Sequence, residues 1–347
     1  MINYKNLIIK ENQTIEEALK KINENGINFI MVISKEDKLS GVLTDGDLRR
    51  QFLKGINIKE KVSIVINKNF IFINENSDDY KIKNIFDTND IEYLPVIDSN
   101  RKIKNLLKRK DFKKDLIMKT PVIIMAGGLG TRLGAATASC PKPMIKIHGK
   151  PILEIVLENC ISYGLKTFYI SVNFLKDQII NYFEDGSKWG VNISYLQEEE
   201  RLGTAGSLSL LPDHVDSPIF ITNCDVLTKC DLGSVIYSHL TNKSIATIVT
   251  KQYETNIPFG VIKTDGDLVL SFEEKPNYIY NVNTGLYVIN PEIYKLVPSK
   301  KYFDMPDLLQ SAMKKNYKIN IFSTKNYWLD IGHPETLIKA KEEWDLS

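Results

Sequence analysis

Residues 122–144, VIIMAGGLGTRLGAATASCPKPM, restrict this 347-residue chain more than any other stretch. The first four, Val122-Ile123-Ile124-Met125, form an uninterrupted apolar run, which predicts a parallel strand buried on both faces. Ala126, Gly127, Gly128 and Gly130 follow at once, with no bulky side chain before Leu129. A loop of this kind brings successive backbone N–H groups against a phosphate chain, because glycine removes the side chains in the way. Thr131 and Arg132 close it, and Arg132 adds a fixed positive fork. Lys142 supplies a second cation, and Pro141 and Pro143 on either side of it predict extended backbone that aims its ammonium. Two common phosphate loops are excluded by spacing. No lysine stands where GxxxxGK[ST] requires one. In GxGxxG terms, Leu133 takes the third glycine's place and Gly134 comes one position late.

From residue 121 onward strand-like and helical runs alternate, which predicts an α/β unit with a mostly parallel sheet and helices on both faces. Strands are expected over 166–172, 193–197 and 218–222, and helices over 151–163, 175–183 and 334–344. Polar motifs follow the strands, where such sheets collect ligands. Gln197-Glu198-Glu199-Glu200 leads into Leu202-Gly203-Thr204-Ala205-Gly206. Asp225 follows 218–222, and Asp330 sits in Trp328-Leu329-Asp330-Ile331-Gly332. Each has a plainer reading: a solvated acidic loop, or a helix cap. A hairpin with its turn at Asp265-Gly266-Asp267 is framed by Phe259-Gly260-Val261-Ile262 and Phe272-Glu273-Glu274-Lys275-Pro276. His333 reads as a loop histidine rather than a ligand.

Taken together, GGxGTRL…PKPM, QE…LGTAG, EEKP and the two aspartates resemble the sugar-1-phosphate nucleotidyltransferases, with a Rossmann-like sheet. Gly134-Ala135-Ala136 departs from the family, which carries a bulky-Pro-Leu run there. The resemblance implies a role for each motif. Ala126, Gly127, Gly128, Gly130, Thr131 and Arg132 would hold the triphosphate, and Lys142 would bridge the reacting phosphates. Gln197, Glu198, Gly203 and Thr204 would receive the base. Gly260, Glu274, Lys275 and Asn283 would face the sugar phosphate, and Asp225 and Asp330 would hold Mg²⁺. A glutamate at the base favours GTP, since a carboxylate accepts from the guanine N1–H and N2 amino group. The reaction needs no general base, because a phosphate oxygen is already anionic.

The first 118 residues contain a repeat. Residues 14–19 and 78–82, 29–33 and 93–97, and Asp47 and Asp111 are each 64 positions apart, which indicates an insertion-free duplication. GVLTDGDLRR in the first copy resembles the end of a CBS motif, so 1–57 and 62–118 would form a tandem CBS (Bateman) α+β module ahead of a catalytic unit at 121–347. That resemblance implies an adenine or guanine nucleotide effector at Thr44, Asp47 and Arg49. The same Thr44-x-x-Asp47 also fits a helix capping box, and Lys108 replaces the threonine in the second copy. A CBS pair ahead of a compact transferase is similar to the glucosamine-1-phosphate guanylyltransferases of bacterial GDP-legionaminic acid synthesis, which serve surface- or flagellin-glycan assembly. Mannose or heptose 1-phosphate with GTP, glucose 1-phosphate with dTTP or CTP, and a non-catalytic nucleotide sensor with a relic transferase unit remain as alternatives.

Composition narrows the partners. A net charge of +2 with no Lys/Arg block argues against nucleic acid. No apolar run approaches a bilayer's thickness and no signal peptide is evident. Cys140, Cys160, Cys224 and Cys230 make no CxxC pair and fit reduced thiols in a cytoplasmic protein; a homo-oligomer is expected.

Overall fold

The computed structural model describes residues 3–242 and 244–344 and divides the chain into two compact units, Met1–Asp115 and Leu116–Ser347. In the first unit, Thr14 and Glu17 form a capping box that starts the helix Ile15–Asn25, and Gly26 in the left-handed region ends it. The strands Phe29–Ile33 and Leu39–Thr44 pair antiparallel and lead into the helix Asp45–Phe52. The helix Asp79–Thr88, strands Tyr93–Ile97 and Ile103–Lys108, and helix Arg109–Met118 follow the same plan. Each begins 64 residues after its counterpart. The ladder irregularity also repeats, between Val32 and Ile33 and between Val96 and Ile97. Phe29 and Tyr93, equivalent positions, stack with centroids 5.2 Å apart where the copies meet.

Thr44 and Asp47 make a complete capping box. Asp47 accepts from the Thr44 N–H and hydroxyl at 2.9 and 2.6 Å, and Thr44 accepts from the Asp47 N–H at 3.2 Å. Arg50 donates to the other Asp47 oxygen, and Arg49 pairs with Asp45 at 2.8 Å. Those contacts occupy most of the groups an effector would use.

The second unit is built on a seven-stranded sheet. From one edge to the other it runs Asn192–Gln197, Thr167–Val172, Val122–Met125, Ile219–Asn223, Asn277–Ile289, Ala246–Asn256 and Ile319–Thr324. Only Asn277–Ile289 runs against the others. Alternation along Val122–Met125 explains why all four residues are apolar. Val122 and Ile124 pack in a core with the helices Ile152–Ser162, Lys176–Phe183 and Leu232–Thr241. Ile123 and Met125 pack on the other side with Leu308, Leu309 and Ala312 of the helix Met305–Lys314. The chain leaves Val122–Met125 toward Thr167–Val172 and Asn192–Gln197, then returns to Ile219–Asn223 on its other side. The crevice at the carboxyl end of Val122–Met125 is therefore a topological switch point, where open α/β sheets bind ligands.

Candidate active site

A cleft of about 290 Å³ occupies that crevice. Gly127, Gly128, Gly130, Thr131, Arg132, Lys142, Glu198, Gly203, Thr204, Asp225 and Asp330 line it, joined by Ser171, Arg201, Asn223 and Asp304. The glycine loop is stitched shut by Thr137, whose hydroxyl donates to the carbonyls of Gly130 and Gly134 at 3.1 and 3.0 Å. Gly130 is needed in this fold: it sits at φ 66°, and a Cβ there would meet Thr137 at 2.9 Å and Lys142 at 3.0 Å.

Lys142 corrects the expectation of extended backbone. It opens a 3-10 turn, Lys142–Met144, in which the Pro141 and Lys142 carbonyls accept from the N–H groups of Met144 and Ile145. Proline lacks a donor, but this turn draws its donors only from those two residues. Lys142 is 7% exposed and its ammonium pairs with Asp225.

Asp225 and Asp330 are brought together by a short antiparallel ladder, Val226–Thr228 with Trp328–Asp330, in which Val226 faces Asp330. The Ile331 N–H donates to the Asp225 carbonyl at 2.9 Å. Desolvation, and after it the charge of Asp225, raise the Asp330 carboxyl above its ordinary value, while Lys142 and Arg132 pull it down. A Cβ at Gly332 would lie 3.3 Å from the Asp330 carboxylate and 3.4 Å from the Arg132 guanidinium, so these three meet at one point. Among the described residues no group of three or more His, Cys, Asp or Glu side chains could hold a metal.

Gln197 and Glu198 point in different directions, as neighbours at a strand end do. Gln197 is exposed, accepts from Lys176 at 2.9 Å and does not line the cleft. Glu198 is 5% exposed, lies under Gly127, and accepts from the Leu202 N–H at 3.1 Å. Burial raises its carboxyl above the ordinary 4.5, and the Leu202 N–H, Ser171 and Arg201 lower it in part. An acid raised on folding binds its proton more tightly in the native chain, so its ionisation weakens the fold as pH climbs past 4.5 toward the raised value. Glu198→Gln has no such proton. Its melting temperature relative to wild type is expected to climb as pH rises from 4.5 through the raised value, then level off. Parallel thermal melts read this, and a difference that ignores pH would refute it.

The segment Gly203–Gly206 is held from far along the chain. Asp304 accepts from the Thr204 N–H and hydroxyl at 2.9 and 3.0 Å, and the Met305 N–H donates to the Thr204 hydroxyl at 2.8 Å. Phe303 accepts from Ala205 and Gly206. Tyr302 donates to Asp304 at 2.7 Å and lies under the Arg201 guanidinium at 5.7 Å. No local pattern marked Asp304, Arg201, Ser171 or Asn223. The one available signal was that Arg201 and Asn223 each stand within two residues of a motif already singled out.

The remaining expected residues stand outside the cleft. Ala126 donates its N–H to the Ser171 carbonyl at 3.1 Å. Gly260 adjoins Glu274, whose carboxylate would be 3.2 Å from a Cβ at that glycine, and Lys275 has φ 45°. Asn283 donates to the Tyr287 hydroxyl at 2.6 Å and accepts from the Gly285 N–H. His333 caps the helix Pro334–Glu343. All four cysteines are free thiols. No helix among the described residues is long and apolar enough to cross a membrane.

Comparison with known proteins bears on both units. The nucleotidyl transferase family model matches residues 121–345, and the CBS domain model matches residues 2–54. The mannose-1-phosphate guanyltransferase of Yarrowia lipolytica is 31% identical over 227 residues, covering 63% of this chain and 62% of its own length. A UTP–glucose-1-phosphate uridylyltransferase of Synechocystis is 31% identical over 230 residues, covering 60% and 59%. The chain thus spans about six-tenths of the length of these curated relatives. Among solved structures, HddC from Yersinia pseudotuberculosis, crystallised with GMP-PN, is 29% identical with a TM-score of 0.52, covering 65% of this chain and 99% of HddC. A putative glucose-1-phosphate thymidylyltransferase from Bacillus anthracis shares the fold at 20% identity, with a TM-score of 0.53 over 64% of this chain and 94% of that one.

Proposed function

This chain belongs to the nucleotidyl transferase family, and from that premise we propose that its second unit transfers GMP from GTP to a sugar 1-phosphate. An oxygen of the sugar phosphate attacks the α-phosphorus, and the bond to the leaving pyrophosphate breaks. The carrying observation is one cleft that places Arg132 and Lys142 beside the Asp225–Asp330 pair and is also lined by the buried Glu198. Arg132 and the glycine-loop amides hold the leaving pyrophosphate, and Lys142 bridges the reacting phosphates. The work is positioning and charge neutralisation, the usual burden of phosphoryl chemistry.

Asp225 and Asp330 suit Mg²⁺, which takes few carboxylates and completes its shell with water and substrate phosphates. Burial of Asp330, and after it the nearby charge of Asp225, raise its carboxyl, and a divalent ion between the two would offset both. Bound there, the ion supplies further neutralisation of the phosphates.

Guanine is favoured because Glu198 is a buried acceptor, anchored at the Leu202 N–H and by Ser171, suited to the N1–H and N2 amino group. Glucosamine 1-phosphate is the favoured acceptor, with the product feeding glycan assembly. Mannose 1-phosphate is the second reading, supported by the names of several relatives. Pyrophosphate release over a grid of triphosphates and sugar phosphates tests both at once. GTP is expected to lead, and Glu198→Gln is expected to reduce its lead over UTP by roughly tenfold to a hundredfold, the worth of a hydrogen bond to a charged group. A wild-type preference for UTP or dTTP would overturn the guanine assignment.

For the first unit we propose a tandem CBS module over 1–118 whose role is architectural rather than effector-binding. The closed Thr44–Asp47 capping box supports this.

A further inference from the structure

Guanine presents donors at N1 and N2 but acceptors at O6 and N7, so a site that selects it needs a donor group next to the carboxylate. The backbone around Glu198 has few left to give. The Leu202 N–H is held by Glu198 and the Thr204 N–H by Asp304, while those of Ala205 and Gly206 are held by the Phe303 carbonyl. The Thr204 hydroxyl also donates to Asp304. Arg132 and Lys142 stand with Asp330 and Asp225. Arg201 is placed differently. The Leu202 contact folds the segment 198–202 back on itself, and Arg201 lines the cleft with Glu198, Gly203 and Thr204. Its charge lowers the carboxyls of both Glu198 and Asp304, which puts it within electrostatic reach of each. Among the described residues no ion pair or hydrogen bond takes up its guanidinium. What supports it is the Tyr302 ring, itself fixed by the hydroxyl that donates to Asp304 at 2.7 Å.

We infer that Arg201 determines base specificity by gripping O6 and N7 of guanine with its guanidinium fork, while Glu198 takes the N1–H and N2 amino group. This rests on the guanylyl transfer proposed above. A planar fork matches O6 and N7 together, the commonest specific contact to guanine, whereas a lysine offers only a point charge. Stacking on Tyr302 holds the fork in place before the base arrives, so less side-chain freedom is lost on binding. The Glu198–Arg201 pair also rejects the wrong bases. Adenine sets an amino group where guanine has O6 and a bare nitrogen where it has N1–H, so donor meets donor and acceptor meets acceptor. Cytosine makes the same two mismatches. Uracil and thymine keep an N–H beside a carbonyl, but they turn a second carbonyl toward Glu198 and have no N7 for the other arm of the fork.

Calorimetric titration of the full chain with GTP, 7-deaza-GTP, ITP and UTP tests this without a sugar phosphate. The first analogue lacks the N7 acceptor and the second lacks the N2 amino group. The wild type is expected to bind GTP more tightly than 7-deaza-GTP by roughly tenfold to a hundredfold, the worth of one hydrogen bond to a charged group. In Arg201→Ala that lead is expected to vanish, while the lead of GTP over ITP, which belongs to Glu198, survives. Arg201 is exposed, so its removal leaves the fold intact, and the retained ITP lead reports an undamaged site. Arg201→Lys keeps the charge and is expected to lose the 7-deaza-GTP discrimination too. Tyr302→Leu is expected to reduce it and Tyr302→Phe to keep it. A wild type that favours GTP over UTP yet binds 7-deaza-GTP equally well overturns the role of Arg201 and leaves guanylyl transfer standing. So does a 7-deaza-GTP discrimination that persists in Arg201→Ala. A wild type that favours UTP overturns both.

Discussion

Lys142→Ala is expected to lower turnover by about 10²–10³, the cost of removing one preorganised charge-stabilising group. The residue is 7% exposed, braced by the Pro141 turn and by Gly130, and its ammonium faces Asp225 across the cleft. The loss belongs in kcat rather than in KM for the nucleotide, because Lys142 acts where negative charge gathers between the two substrates. Removing it also leaves Asp225 beside Asp330 without its paired cation, so the ligand-free melting point is expected to fall. Lys142→Ala combined with Asp225→Asn is expected to recover the melting point and not the turnover. Pyrophosphate release at saturating substrates together with thermal melts reads both effects. Wild-type turnover in Lys142→Ala would remove the residue from the mechanism.

Gly127→Ala is the second large effect. The added Cβ would stand 2.6 Å from Glu198 Oε1, 2.9 Å from its carboxyl carbon and 3.1 Å from Oε2. Glu198 is buried and anchored at the Leu202 N–H, so it has little room to withdraw. Overpacking of this kind costs about 1–3 kcal/mol, which in a unit of this size is a melting-point loss of several degrees, at roughly 2–4 °C per kcal/mol. Moving the loop also shifts the amides that face the triphosphate, so nucleotide affinity is expected to fall roughly tenfold to a hundredfold, the same free energy read in binding. Gly128→Ala is the control, since nothing lies within 4 Å of its added carbon. Its ligand-free melting point is expected to match wild type. Adding Glu198→Ala to Gly127→Ala is expected to restore part of the loss, the signature of a contacting pair. Equal melting points for Gly127→Ala and Gly128→Ala would show that Glu198 yields freely.

What the amino-acid order determined alone was whatever depends on neighbours within a few residues. The strand Val122–Met125 and its glycine loop, the hairpin at Asp265-Gly266-Asp267, and the caps at Thr14 and Thr44 follow from side-chain shape, backbone freedom and short-range hydrogen bonds. The 64-residue period was equally legible, since duplication leaves its offset in the letters. The tertiary structure alone decided which residues share the cleft. Nothing near Gln197 and Glu198 says which turns inward. That depends on how Asn192–Gln197 registers against Thr167–Val172. Asp304 reaches Thr204 across 100 positions, and Asp225 meets Asp330 only because two short strands pair late in the chain. Such contacts depend on sheet order and on packing on both faces, and no local pattern encodes either.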